Sequence, residues 1–177
     1  FNDTTRQLEV IEPAIIGRSV RVDETIAAIN DALNSGQQTV TLTVDTTEPA
    51  VKSDATAASL GITENVITYS TYFRGSGQPR IQNIKTAAES FHGLLIAPGE
   101  TFSMGQALGD VSLDNGYAEA LIIYGNKTIK GVGGGVCQVS TTLFRSAFFA
   151  GYPIVERAAH AYRVSYYEQS DSGINTN

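Results

Sequence analysis

The residues with the most chemical potential are a cysteine and the glycines before it, in the stretch GVGGGVCQVSTTLF at 131–144. The pattern places Cys137 in the first turn of a helix, where unpaired backbone N–H groups and the helix dipole favour thiolate over thiol. Gly134 and Gly135 let the backbone turn sharply and let a substrate approach the helix end. Cysteine nucleophiles use this arrangement, and the same N–H groups can stabilise an oxyanion.

A cysteine nucleophile needs a base, and His160 is the candidate because it follows on a predicted strand. A cysteine on a helix followed by a histidine on a strand is also the order in papain-like and transglutaminase-like enzymes, an analogy of topology. A packing role for Cys137 is equally open, because free cysteines are among the most often buried residues. His160 taken alone, like His92 at a helix end, is typical of a structural histidine.

Several polar residues are predicted to bind a ligand near the cysteine. Ser140 and Thr141 fall on the Cys137 side of the helix and Gln138 is adjacent, although Ser and Thr in a first turn also bond back to the backbone. Arg80 stands at a helix start, which is unfavourable for the dipole and indicates a carboxylate partner in the protein or in a substrate. Glu100, in a tight turn, completes the predicted binding set.

Composition excludes several classes of protein. The 177 residues, 42% apolar, suffice for one domain or two small ones. One cysteine and two histidines are too few for the usual zinc site, and GVGGG lacks the residues that complete a nucleotide loop, so neither metal nor cofactor is expected. Without a Lys/Arg cluster, nucleic-acid binding is not expected, and no apolar run is long enough to span a bilayer.

The elements that must position these residues form two segments. Residues 1–65, with four basic and ten acidic groups, predict a strand-helix-strand module. Its strands are LEVIEPAII and TVTLTVD, and its helix has Asp23 as N-cap and Gly36 as C-cap.

Residues 66–177, with eight groups of each sign, predict a mixed α+β domain. The strand VITYSTYF precedes a helix that opens at Pro79, and a hairpin turns at Gly125-Asn126. The cysteine helix is expected from about Cys137 to Ala150, packed on an antiparallel sheet, and HAYRVSYYE is the last strand.

The second segment resembles the VanW-like family, named for an accessory protein of bacterial vancomycin-resistance clusters. The resemblance runs from about Tyr69 to Glu168 and depends on RIQNIKTAAESFHGLLIAPGETFSMGQALG, GYAEALII, GVGGGVCQVSTTLFRSAFFAGYPIVER and HAYRVSYYE. The first segment looks like the end of the peptidoglycan-binding domain that often precedes VanW-like domains and some L,D-transpeptidases.

The resemblance implies an extracytoplasmic protein of the bacterial cell envelope, membrane-anchored only through a segment outside this chain, with peptidoglycan or its stem peptides as partner. The family is further expected to continue into a Gly-x-Asp-Ala segment and another strand, so the domain is interpreted as C-terminally incomplete. The family pattern falls on Arg80, Asn83, Pro98, Gly99, Glu100, Phe102, Ser103, residues 133–142, Glu156, Arg157 and His160.

Three functions follow from these observations. The first is a cysteine-dependent acyl transferase or peptidase acting on peptidoglycan peptides, with Cys137 as nucleophile and His160 as base. The second is a non-catalytic wall-binding module, in which backbone N–H groups at the helix start recognise a stem-peptide carboxylate and Cys137 is a packing residue. The third is a structural or interaction role in a larger envelope protein.

Overall fold

The computed structural model describes residues 1–161 and Val164, and the chain divides into two compact units, Phe1–Asn65 and Val66–Asn177. Each unit combines helices with a two-stranded antiparallel sheet, which confirms the α+β prediction. Within the described residues, no helix has both the length and the apolar character needed to cross a membrane.

The first unit has the predicted strand-helix-strand order. Strand β1 (Gly17–Val20) is followed by helix α1 (Val22–Ser35) and strand β2 (Val44–Thr47), and a short 3-10 turn follows at Ala58–Leu60. The strands pair antiparallel, with β1 and β2 in register from Gly17 opposite Thr47 to Val20 opposite Val44.

The element boundaries in this unit differ from the predicted ones. The first strand begins at Gly17, after the predicted stretch, which includes Pro13, a residue without the N–H that a strand ladder needs. The N-cap of α1 is Arg21, and Asp23 lies in the first turn, where its carboxylate still complements the helix dipole. Gly36 is the left-handed C-cap, as predicted.

The second unit contains the candidate site. It consists of helices α2 (Gln78–Glu89) and α3 (Met104–Leu108), the hairpin strands β3 (Glu119–Tyr124) and β4 (Lys127–Val132), and helix α4 (Val136–Phe149). The hairpin closes at Gly125-Asn126, since Tyr124 pairs with Lys127. These bounds confirm the predicted hairpin and cysteine helix to within one residue. Helix α2 begins where it was predicted to begin but ends at Glu89, a few residues before Gly93, the stop that the sequence indicates.

Two predicted strands have a different outcome. No strand is assigned to residues 66–73, although their side chains alternate between half-buried and exposed. The alternation follows from an extended backbone alone, whereas a strand also requires a hydrogen-bonded ladder. Of the predicted strand at 160–168, His160 and Ala161 are in no strand, and the remainder apart from Val164 lies outside the described residues.

Helix α2 is the centre of the packing in this unit. It contacts both α4 and β3, so the cysteine helix packs chiefly on another helix rather than directly on the hairpin as predicted. The buried core at this junction consists of Ile84, Ala87, Tyr117 and Val139. The side chains that surround it include Phe73, Val111 and Val136.

Candidate functional site

The glycines before Cys137 allow a close approach of the backbone to two neighbouring elements. A Cβ atom at Gly134 would collide with the carbonyl oxygen of Leu121 and with Ala120 in β3. A Cβ atom at Gly135 would lie 2.9 Å from Cγ and 3.0 Å from the carbonyl oxygen of Arg80, and its φ of +115° also favours glycine. The glycine turn therefore packs the start of α4 against the hairpin and the first turn of α2.

Asn83 fixes this turn from α2. Its side chain is 0% exposed, and its Nδ2 donates to the carbonyl oxygens of Ala118 and Gly134, both at 2.9 Å. Its Oδ1 accepts from the backbone N–H of Ala118 at 2.7 Å. One buried amide thus satisfies three backbone groups from the start of the hairpin and the glycine turn.

Two backbone N–H groups at the start of α4 donate to carbonyl groups within the glycine turn. The N–H of Val136 donates to the Gly133 carbonyl at 3.0 Å, and the N–H of Gln138 donates to the Gly135 carbonyl at 2.9 Å. A bound anion would therefore depend on a charged side chain more than on the helix end.

Cys137 lies in the first turn of α4, as predicted, and its side chain is exposed. The protein around the side chain nevertheless desolvates it, and this burial raises the pKa of the Cys137 thiol. The backbone N–H of Cys137 and the positive charge of Arg80 act in the opposite direction without reversing the shift. The direction of this pKa shift is opposite to the preference for thiolate that the helix start predicts, and desolvation is its largest cause.

His160, the predicted base, is half-buried, and burial lowers its pKa, so the imidazole is mainly neutral at pH 7. No hydrogen bond joins His160 to Cys137 among the residues that the structure describes. The Cys–His pairing stays a prediction.

Arg80 is held by a chain of polar contacts that links α2 to α4. Its Nη1 donates to Ser76 Oγ at 2.6 Å, and its Nη2 donates to Gln138 Oε1 at 2.9 Å. Gln138 is 2% exposed and donates from Nε2 to Thr71 Oγ1 at 2.6 Å. Thr71 must in turn donate to Thr142 Oγ1, at 2.6 Å, because the Thr142 hydroxyl hydrogen goes to the Gln138 carbonyl. Buried Gln138 therefore orients the guanidinium of Arg80.

The other predicted binding residues lie apart from this chain of contacts. Ser140 is half-buried, and Thr141 is only 8% exposed and faces the interior. Glu100 is exposed in the turn that begins at Ala97, and within the described residues no hydrogen bond or ion pair joins it to α4. The structure thus joins Arg80 and Gln138 at the start of α4.

Sequence reasoning did not select Thr71 and Ser76 for the site. Both belong to an open groove of about 360 Å³ with a mostly apolar lining. Ser76 connects the groove to Arg80. The groove is lined by Thr71, Tyr72, Phe73, Arg74, Gly75, Ser76 and Ile81.

The segments that form this surface carry no carboxylate side chain. Neither residues 66–88 nor residues 120–155 contain Asp or Glu, although the formal charge of the whole chain is −6. These two segments supply the groove, α2 through Ala88, most of the hairpin, the glycine turn and α4. Their basic residues are Arg74, Arg80, Lys85, Lys127, Lys130 and Arg145.

A metal site has no candidate in the described part of the chain, where no three His, Cys, Asp or Glu side chains are grouped for metal binding. The chemistry of the surface is that of an exposed thiol, an oriented guanidinium and hydroxyl groups beside an apolar groove.

The chain belongs to the VanW-like family, since the family model described as "VanW like protein" matches residues 79–177. That range begins in α2 and includes Asn83, the glycine turn and Cys137.

Two relatives support the assignment. The "Uncharacterized protein YoaR" of Bacillus subtilis is 40% identical over 104 residues, which are 59% of this chain and 34% of YoaR. The "Vancomycin B-type resistance protein VanW" of Enterococcus faecalis is 36% identical over 81 residues, 46% of this chain and 30% of that protein. The chain spans about a third of the length of these relatives. No solved structure matches.

Proposed function

We propose that this protein is a cell-envelope module that binds carboxylate-bearing peptides of the bacterial cell wall beside Arg80 and the start of α4. The observation that carries the proposal is the orientation of the Arg80 guanidinium by Ser76 and by buried Gln138. A planar guanidinium recognises a carboxylate by paired hydrogen bonds, and its orientation in advance reduces the entropy lost on binding.

The charge distribution supports an anionic ligand. Residues 66–88 and 120–155 contain basic but no acidic residues, which favours an anionic ligand on these segments over the acid-rich remainder of the chain. The backbone N–H groups of Val136 and Gln138 already have carbonyl partners. Arg80 is therefore the principal anion contact in this proposal, which departs from recognition by the helix end alone.

The family supports the choice of ligand. One relative is named as a vancomycin B-type resistance protein, which connects the family with resistance to this antibiotic and favours wall peptides as the partner. We propose an extracytoplasmic location, with membrane attachment through a segment outside this chain.

Titration calorimetry with a soluble peptidoglycan stem tetrapeptide, and with the same peptide amidated at every carboxyl group, tests the proposal. We expect the free peptide to bind and the fully amidated peptide not to bind. Arg80→Gln weakens binding about tenfold or more, which corresponds to one charge-assisted hydrogen bond of roughly 1.5–3 kcal/mol.

Lys85→Gln is the matched control, because Lys85 is exposed on the same helix and the substitution removes the same charge. Arg80→Lys keeps the charge but loses the planar guanidinium that donates paired hydrogen bonds, so its affinity for the peptide falls between those of the wild type and Arg80→Gln. Circular dichroism verifies that each variant is folded. Equal weakening by Arg80→Gln and Lys85→Gln, or none by either, would overturn the proposal.

A second candidate function is acyl transfer by Cys137, which is favoured by the exposure of its thiol beside the charge of Arg80. His160 would take the thiol proton, and the sulfur would attack a peptide carbonyl to form a thioester and release an amine. Water or another amine would then cleave the thioester. This function requires His160 to approach the sulfur.

Mass spectrometry of stem peptides incubated with the protein separates the two functions. If the protein is an enzyme, cleaved or exchanged peptides accumulate with the wild type and not with Cys137→Ala. If it is a binding module, the peptides stay intact and Cys137→Ala binds them with unchanged affinity.

A further inference from the structure

The groove beside Arg80 has its own recognition chemistry. The guanidinium of Arg74 stacks over the ring of Tyr72, with its Cζ atom 5.3 Å from the ring centroid, and both residues line the groove. The Tyr72 side chain is 71% exposed. The stacking holds a second positive charge at the groove wall.

Ser76 joins the groove to the Arg80 site. Its hydroxyl oxygen accepts a hydrogen bond from Arg80 Nη1, which leaves the hydroxyl hydrogen to donate to a ligand. Because the guanidinium polarises this hydroxyl, a carboxylate oxygen is the acceptor that it favours. A carboxylate beside Ser76 would contact both the hydroxyl and the field of Arg80.

The size and lining of the groove restrict its occupant. A volume of about 360 Å³ is at the small end of ligand sites and accommodates a few linked groups rather than a folded partner. Ile81 and Phe73 make part of the lining apolar. The Arg74 guanidinium occupies one face of the Tyr72 ring, which limits the stacking surface for a sugar. Two arginines, with no carboxylate side chain from residue 66 to 88, complement negative charge.

We propose that the groove is the subsite for an extended anionic peptide, with a carboxylate at Ser76, apolar groups against Ile81, and Arg74 as the second cationic contact. The inference rests on the proposed function only in taking a wall peptide as the ligand. It assigns residues 71–76 a role in binding that is separable from the start of α4.

Amide NMR spectra of the full chain, titrated with the free stem tetrapeptide and with its fully amidated form, test the assignment. We expect the free peptide to shift the backbone amide signals of residues 71–76. Arg74→Gln removes the stacked charge and Tyr72→Ser removes the ring that holds it, so we expect each to weaken binding about fivefold.

The hairpin supplies matched controls. Tyr124 is 73% exposed, close to the exposure of Tyr72, so Tyr124→Ser removes an equivalent ring, and Lys127→Gln removes an equivalent charge. We expect both control variants to bind the peptide with wild-type affinity. Equal losses in the controls and in the groove variants would overturn the assignment.

The pattern of shifts distinguishes this inference from the proposed function. Shifts at 136–138 with dependence on Arg80, but none at 71–76, overturn the groove and leave the proposed function intact. Shifts at 71–76 that depend on Arg74, with none at 136–138, support the groove and overturn binding at the start of α4. Equal binding of the amidated peptide overturns the anionic occupant, and absence of all binding overturns both proposals.

Discussion

The Asn83→Ala substitution tests whether the glycine turn depends on one buried amide. It removes the three hydrogen bonds that Asn83 makes to the backbone of Ala118 and Gly134. The side chain is fully buried, so water replaces these bonds only if the structure opens. We expect the start of α4 to lose its anchor to α2.

The magnitude follows from the number of bonds. At a net ~1 kcal/mol per hydrogen bond, three lost bonds lower the free energy of unfolding by about 3 kcal/mol, and groups left unsatisfied increase the loss. The neighbouring Gln82→Ala is the control, because it removes one exposed hydrogen bond to the Gly116 carbonyl. Its expected cost is below about 1 kcal/mol.

Urea unfolding followed by far-UV circular dichroism and by tyrosine fluorescence gives the free energies. Two probes are needed because the chain has two compact units, which unfold together only if the transitions coincide. If Asn83→Ala lowers the free energy of unfolding by an amount within about 1 kcal/mol of that for Gln82→Ala, Asn83 does not fix the glycine turn as argued.

Asn83→Asp adds a pH test of the same geometry. The carboxylate would face the Ala118 and Gly134 carbonyl oxygens, which raises its folded-state pKa above the unfolded value of about 4. The folded state then binds more protons than the unfolded state, so stability falls as pH rises through this window. The deficit of Asn83→Asp relative to the wild type is therefore smaller near about pH 4 than at pH 7, whereas a deficit independent of pH would contradict the geometry.

Three further predictions concern the site. Gly134→Ala lowers the free energy of unfolding, measured in urea, by about 2–3 kcal/mol because the added Cβ collides with β3. Gly105→Ala is the control and causes no loss, because its added Cβ meets no atom within 4 Å. Mass spectrometry measures the rate at which iodoacetamide alkylates Cys137, and we expect this rate still to rise with pH at about pH 9. Arg80→Gln slows the alkylation because it removes a charge that lowers the thiol pKa. A rate that reaches its plateau below about pH 7 would contradict this prediction. Gln138→Met leaves Arg80 and Thr71 without their amide partner, lowers stability by about 2 kcal/mol and weakens peptide binding in calorimetry; wild-type affinity would contradict the orienting role of Gln138.

The elements that local signals specify were predictable. The start of α2 follows from Pro79, and the hairpin follows from Gly125-Asn126, where Gly125 has a φ of +55°. The helix that contains Cys137 follows from the glycines before it and from Gly151 and Pro153 after it. Each signal acts over a few residues and needs no knowledge of the rest of the fold.

The site itself depends on contacts between distant residues. The bond from Gln138 to Thr71 spans 67 positions, and no sequence pattern states that these side chains meet. The direction of the Cys137 pKa shift could not be predicted for a related reason. The helix end is recognisable in the sequence, whereas the desolvation that raises the thiol pKa depends on the tertiary structure around Cys137.

The long separation of Thr71 from Gln138 also has a consequence for the order of assembly during synthesis. The groove segment leaves the ribosome well before α4, so Arg80 has no glutamine to orient it while the intervening hairpin is being made. The hairpin can form from local contacts, but the polar junction must wait for the chain beyond residue 138. A chain shortened before α4 would therefore contain every groove residue and still lack the bond from Gln138 that helps to orient the guanidinium of Arg80.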